Sequence, residues 1–207
     1  MSHDEPFFAN VSDAARFREA VRRFDDLNAA DPNHEMVDGS PQPRELLNAR
    51  RLSDWVITLA PDASEVLRLA ARSQHLCRWE IPRASYEMTR AGYHQWRARL
   101  KKFHAEKSAG VLRAVGYSEE TVKRVQDLNL KKSFPADPES RVLEDALCLV
   151  FLQFQFAELA GKTDAEKVIN ALRKSWQKMT PAGHDHALKL YYGAHERELL
   201  ERALKER

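Results

Sequence analysis

Glycine is scarce in this chain, 7 in 207 residues, and cysteine scarcer, at 2. So little glycine, with Leu, Ala, Arg, Lys and Glu abundant, leans towards a mostly helical protein. Cys77 and Cys148 lie inside apolar helical patterns and read as reduced, buried thiols of a reducing compartment. Long hydrophobic runs are also missing. The most apolar stretch, Ala146–Phe156, is too short to span a bilayer and contains Gln153 and Gln155. The opening M-S-H-D-E-P lacks the basic-then-apolar order of a secretory signal. A formal charge of +2 is too small for bulk nucleic-acid binding, though it permits a local basic face. Nucleophile-elbow, P-loop, dinucleotide-binding and CxxC patterns are absent. So are strand-period runs, repeats and low-complexity tracts. The expectation is a soluble, cytoplasmic, all-α protein, a single-domain helical bundle.

What is present is helical periodicity. Ser12 or Asp13 caps a first helix with Phe17, Ala20, Val21, Phe24 and Leu27 on one face, ending near Asn28. Ala29–Pro43, rich in Pro and polar residues, reads as a connecting loop. The expected organisation is an N-terminal helix over residues 1–30 packed on the core, a linker over 31–43, and a helical domain over 44–207. Helices are predicted from Pro43 through Ala60, over Ala63–Cys77, and over Tyr93–Val115, with Trp79–Gly92 an ordered loop. Ser118-x-x-Thr121 starts another helix. Glu139–Leu159 is the most hydrophobic and is expected to be central. Thr163 or Asp164 caps a helix through Met179, and Asp185–Tyr192 and His195–Leu204 close the chain. Tyr191-Tyr192 is expected to be exposed and hints at an interface, hence a homo-oligomer.

Two constellations carry candidate chemistry. His75, His104 and the Glu144-Asp145 pair come from different helices and together suit an octahedral divalent metal, the nitrogens favouring Mn, Fe, Co, Ni or Zn. Such a metal acidifies water and polarises phosphoryl oxygens. Each histidine equally reads as a hydrogen-bonded helix residue, and Asp145 as a partner for a helix N-terminus. The second constellation is basic and aromatic: Arg78, Trp79 and Arg83, then Tyr93, Trp96, Arg97, Arg99, Lys101 and Lys102. Guanidinium groups suit bidentate phosphate recognition and aromatics can stack a base, so RNA enters as a candidate partner. Arg78, Arg83 and Arg97 flank the histidines, whereas Arg99 and Lys102 read as a solvated face. Lys167, Arg173, Lys174 and Lys178 on the helix through Met179 read as an anion-binding stripe or equally as a helix surface, and His184 and His186 resemble a metal pair only superficially.

The blocks E-L-L-N-A-R-R-L-S-D-W, A-A-R-S-Q-H-L-C-R-W-E-I-P-R, G-Y-H-Q-W-R-A-R-L-K-K-F-H-A-E, L-E-D-A-L-C-L-V-F-L and K-V-I-N-A-L-R-K-S-W-Q-K-M-T-P-A-G resemble the domain-of-unknown-function 4202 family over nearly the whole chain. More distantly, A-A-R-S-Q-H-L-C-R, H-A-E-K-S-A-G-V-L-R-A-V-G-Y-S-E-E-T-V and E-D-A-L resemble HD-domain phosphohydrolases. That resemblance implies a helical HD bundle and metal-assisted hydrolysis of a nucleotide or other phosphorylated small molecule. It places Gln74-His75 at the catalytic dyad, with the two residue types altered. Asp145 falls on the last metal aspartate and His104 on a second-metal or substrate-side histidine. No histidine stands at the first ligand position, where Glu45 or Asn48 is nearest. The implied ligand set is His75, His104, Asp145 and Glu45, with Glu144 as the alternative to its neighbour. Arg78, Arg83, Arg97 and Lys101 are the implied phosphate binders. The altered dyad leaves a second expectation open, an HD-like protein that binds a nucleotide, RNA or protein without turnover.

Overall fold

The structure, a computed structural model, describes residues 5–205, so most of the M-S-H-D-E-P opening lies outside the described residues. The fold is all-α apart from one small hairpin, and the chain forms two compact units, Met1–Ser140 and Arg141–Arg207. The first unit holds α1 (Glu5–Phe8), α2 (Ala14–Ala29), β1 (His34–Val37), β2 (Ser40–Pro43), α3 (Arg44–Leu59), α4 (Glu65–Ser73), α5 (Arg90–Ala114) and α6 (Glu119–Leu130). A further helix, α7 (Pro138–Val150), leads into the second unit, which continues with α8 (Phe156–Lys162), α9 (Ala165–Lys178), α10 (Pro181–Leu188) and α11 (Ala194–Lys205).

Helix starts are set by side-chain caps that satisfy otherwise orphaned N–H groups, each contributing about 1 kcal/mol. Asp13 accepts from the Arg16 amide, Ser64 from Leu67, Thr89 from Gly92, Ser118 from Thr121 and Thr180 from Gly183. The core of the first unit forms where the apolar stripes meet: Phe17 and Phe24 of α2, Leu52 and Val56 of α3, Leu112 of α5, and Val122, Val125 and Leu128 of α6.

At its centre lies α4, buried over every residue from Leu67 to Ser73. Ala70, Ala71 and Ser73 let neighbouring helices approach closely, and its two arginines are buried with partners rather than bare. Arg72 makes a two-pronged contact with Asp25 of α2, both N–O distances 2.7 Å. Arg68 donates to the carbonyls of Phe7 and Ala9, pinning the segment that follows α1.

Several expectations are corrected. The 31–43 segment is not loop throughout, because Asp38 and Gly39, both at positive φ, close a two-residue turn between β1 and β2. Glu139–Leu159 is not one helix: a π-helical turn over Phe151–Gln155 separates α7 from α8. Within the first unit the short α4 is buried from Leu67 to Ser73. Trp79–Gly92 contains two 3₁₀ turns, Arg78–Glu80 and Arg83–Ser85, and α5 begins within its last residues. Helix α10 starts at Pro181, earlier than the periodicity suggested. Tyr191 is exposed, at 91%, but Tyr192 is buried and donates its hydroxyl to the Ala187 carbonyl.

Candidate functional site

After Ser73 the chain leaves α4 through a turn, Gln74–Cys77, that places Cys77 in the left-handed conformation, φ 53°. A non-glycine residue there needs support from outside. Asn28, fully buried at the end of α2, supplies it. Its Oδ1 accepts from the Cys77 amide at 3.0 Å, while its Nδ2 reaches the Glu45 carbonyl at 3.5 Å. One side chain thus ties the corner carrying Gln74, His75 and Arg78 to the first turn of α3, where Glu45 stands. The start of α3 is also held by Asp31, which accepts from the Glu45 amide at 3.0 Å. From the other side, α5 locks onto the corner through Trp96 Nε1, which donates to the Ile81 carbonyl at 2.9 Å.

This packing brings the two histidines together, ring centroids 5.9 Å apart and tilted edge to face. His104 is 2% exposed, and its Nδ1 lies 2.9 Å from the Leu76 carbonyl. A carbonyl can only accept, so Nδ1 carries the proton and the lone pair sits on Nε2. That Nε2 is buried and has no partner. Burial pushes the His104 pKa down to about 4, with the Leu76 bond opposing and Arg78 and Arg97 adding to the fall. His75 is held well below the ordinary imidazole value, first by desolvation and then by Arg78, His104, Arg97 and Lys131. Both rings are therefore neutral at pH 7.

Glu45 is 7% exposed, and burial outweighs the pull of Arg78 to push its pKa up to about 7. Its Oε1 stands 3.9 Å from Arg78 Nε, too far for a hydrogen bond, and its Oε2 has no partner. Arg78 in turn lies over the Trp96 ring, its Cζ 4.9 Å from the centroid. Of the seven buried, unpartnered side-chain atoms among the described residues, four cluster in the elements around this corner: Glu45 Oε2, Gln74 Oε1, His104 Nε2 and Asn129 Oδ1. All four are acceptors as placed. Buried polar groups are normally satisfied, so such a concentration marks a place that takes a ligand, a cation or ordered water.

The structure thus assembles Glu45, Gln74, His75, Arg78, Arg97 and His104 in the first unit. Arg83, Glu144 and Asp145 have partners outside this group. Arg83 spends its guanidinium inside its own loop, on the carbonyls of Tyr86, Glu87 and Thr89. Lys101 is half-buried one turn along α5 from Arg97. Asp145 belongs to the second unit, where it accepts from the Thr180 amide at 2.8 Å and from the Thr180 hydroxyl. Its neighbour Glu144 pairs with Lys178 at 3.2 Å. Among the described residues no group of three or more His, Cys, Asp or Glu is placed to hold a metal. The acceptor atoms of the corner without a partner are His104 Nε2, Gln74 Oε1, Glu45 Oε2 and Asn129 Oδ1.

Sequence reasoning missed Asn28 and Asn129, both fully buried. Asn129 of α6 donates to Ser73 at 3.2 Å and to Ser108 at 3.4 Å, tying α6 to α4 and α5 beside the corner. The available signal was a polar amide at an apolar helical position.

A family model described as a domain of unknown function, DUF4202, matches residues 18–200. The chain belongs to this family. The match takes in every residue of the histidine corner and of the Asp145–Thr180 contact, so DUF4202 is defined over both units. No curated protein and no solved structure matches the chain. No described helix is long and apolar enough to cross a membrane.

Proposed function

We propose that this chain is a metal-dependent phosphohydrolase of HD-like type, acting on a nucleotide or other phosphorylated small molecule in the reducing cytoplasm. The observation that carries the reading is His104: a buried imidazole, its tautomer fixed by the Leu76 carbonyl, with an unused Nε2, its ring beside that of His75 and within the field of Arg78 and Arg97. A backbone carbonyl on one ring nitrogen is how metal-ligating histidines are oriented. His104 and His75 are the proposed ligands, with Gln74 and Glu45 as oxygen donors at the rim. The bound ion supplies Lewis acidity toward water and a phosphoryl oxygen.

The protein's own groups do the rest. Arg78, placed over Trp96, and Arg97 present guanidinium donors that match phosphate oxygens two at a time. Desolvation strengthens these contacts relative to water. Glu45, near its midpoint of protonation at neutral pH, keeps a carboxyl oxygen that no protein group uses. Cys77 and Cys148, both buried and neither joined in a disulfide, support the cytoplasmic assignment.

The test is metal analysis of the purified protein followed by turnover of a nucleotide and sugar-phosphate panel with Mn. Stoichiometric metal that disappears in His104→Ala, with turnover in the wild type, is the expected result. A second reading, binding without turnover, draws on the altered Gln74-His75 dyad and on the absence, among the described residues, of a group of three or more His, Cys, Asp or Glu placed to hold a metal. Metal-free protein that binds a nucleotide through Arg97 and hydrolyses nothing establishes that reading and ends the first.

A further inference from the structure

Between Glu87 and Glu106 the chain has no acidic residue and five basic ones: Arg90, Arg97, Arg99, Lys101 and Lys102. The structure makes this run the first half of α5. At 3.6 residues per turn it splits into two faces. Arg99 lies on the far side with Glu106, 3.9 Å away. Arg90, Tyr93, Arg97, Lys101 and His104 follow one another at spacings of three and four, a single stripe along the helix. Exposure falls along that stripe. Arg90 and Tyr93 are exposed, Arg97 and Lys101 half-buried, and His104 buried with its unused Nε2. The stripe therefore runs from solvent down to the histidine corner.

Its outer end also carries an aromatic that the core does not use. Tyr93 is 44% exposed, its ring 5.9 Å from that of buried Trp96 and 5.8 Å from that of His94. A solvated basic face has no need of such a ring. Single-stranded nucleic acid needs both elements, cations along the backbone and a flat surface for a base. From Arg90 to His104 is about 21 Å at 1.5 Å per residue. A stacked strand carries one charge per about 3.4 Å, so about six phosphates lie along the stripe.

We propose that this face of α5 binds single-stranded nucleic acid, with Tyr93 stacking a base, Arg90, Arg97 and Lys101 following the backbone, and the strand's terminal phosphate directed at the histidine corner. Only the last clause rests on the phosphohydrolase reading. An acidic polypeptide would use the cations but not the exposed ring, which is why nucleic acid is the favoured partner.

Fluorescence anisotropy with a labelled 12-nucleotide uridine RNA, in EDTA and across a salt series, tests the surface without requiring turnover. Three phosphate contacts give a slope of log K against log salt of about −2, and Arg90→Ala and Lys101→Ala each flatten it by about 0.7. Tyr93→Ala weakens binding about tenfold and leaves the slope unchanged. Arg90 and Tyr93 are exposed, so circular dichroism should be unaltered in Arg90→Ala and Tyr93→Ala. Wild-type affinity in Arg90→Ala and Tyr93→Ala overturns the proposal, as does competition by polyglutamate or uridine monophosphate equal to that of unlabelled RNA. A protein that binds RNA in this way yet hydrolyses no phosphoester keeps the surface and loses only the catalytic reading.

Discussion

The two units each bury polar chemistry in apolar helices, and they do so to opposite effect. In the second unit Asp145 is saturated. It anchors the start of α10 through Thr180, and Gly183 lies so close that a Cβ there would stand 2.8 Å from the carboxylate. His184 is likewise engaged, stacked 4.0 Å from Trp176 with its Nε2 2.8 Å from the Trp176 carbonyl, and the Trp176 indole N–H is the unit's one buried side-chain atom without a partner among the described residues. In the first unit Glu45, Gln74 and His104 each keep a buried atom with no partner. A closed cluster is explained by the fold it stabilises. An open one has a desolvation cost that the folded chain alone does not recover, of about 1–3 kcal/mol per group.

The sharpest way to break the contrast is to delete a member of the closed cluster. Asp145→Ala leaves the Thr180 groups bare and should lower stability by about 3 kcal/mol, read from urea unfolding. Gly183→Ala should cost about 1–3 kcal/mol by forcing the carboxylate aside. A wild-type midpoint in either variant would remove the structural role assigned to this cluster.

The open cluster should respond to pH instead. His104 titrates near 4 when folded and near 6.5 when unfolded, so between those values the unfolded chain binds more protons. In EDTA, stability should therefore fall as pH drops from about 6.5 to 4, by at most about 3 kcal/mol for this ring. His104→Gln should flatten that limb of the unfolding curve. Glu45 has the opposite sign. Raised from 4.5 to about 7, it binds its proton more tightly when folded, so its contribution is lost as pH rises through that window. Glu45→Gln should remove the alkaline-side loss. Parallel pH profiles in wild type and both variants would mean that these groups are not buried as the structure has them.

Asn28→Ala probes what holds the cluster open. It should cost about 2 kcal/mol by stranding the Cys77 amide. Asn28→Asp, which keeps the acceptor, should recover part of the loss. The smallest effect belongs to Arg83→Ala. Its partners are loop carbonyls at the surface, so stability should shift by well under 1 kcal/mol with nucleotide binding unchanged.

Much of this architecture was legible from periodicity and caps. Asp13, Ser118 and Asp164 mark helix starts as read, and Trp96, Leu100 and Leu112 are the buried face of α5. The hairpin was not, although its Asp-Gly turn is the standard signal. Pro41 and Pro43 hid it, since proline argues against a strand unless the strand is an edge, as both strands are in a two-stranded ribbon. Of the candidate site, the residues that carry chemistry were nameable, and so was His75 beside His104. Their states were not. The tautomer of His104 depends on a carbonyl 28 residues away, and the shift on Glu45 on burial that α3 alone does not reveal.

The contact from Asn28 to Cys77 spans 49 residues. Transfer of this corner to another chain is thereby constrained. A segment cut just after the hairpin would carry Glu45, Gln74, His75, Arg78, Arg97 and His104 intact, yet lack the one amide that holds the left-handed corner in place. The constellation cannot be transplanted as a contiguous block, and recombination that keeps the histidines must also keep a helix containing none of them.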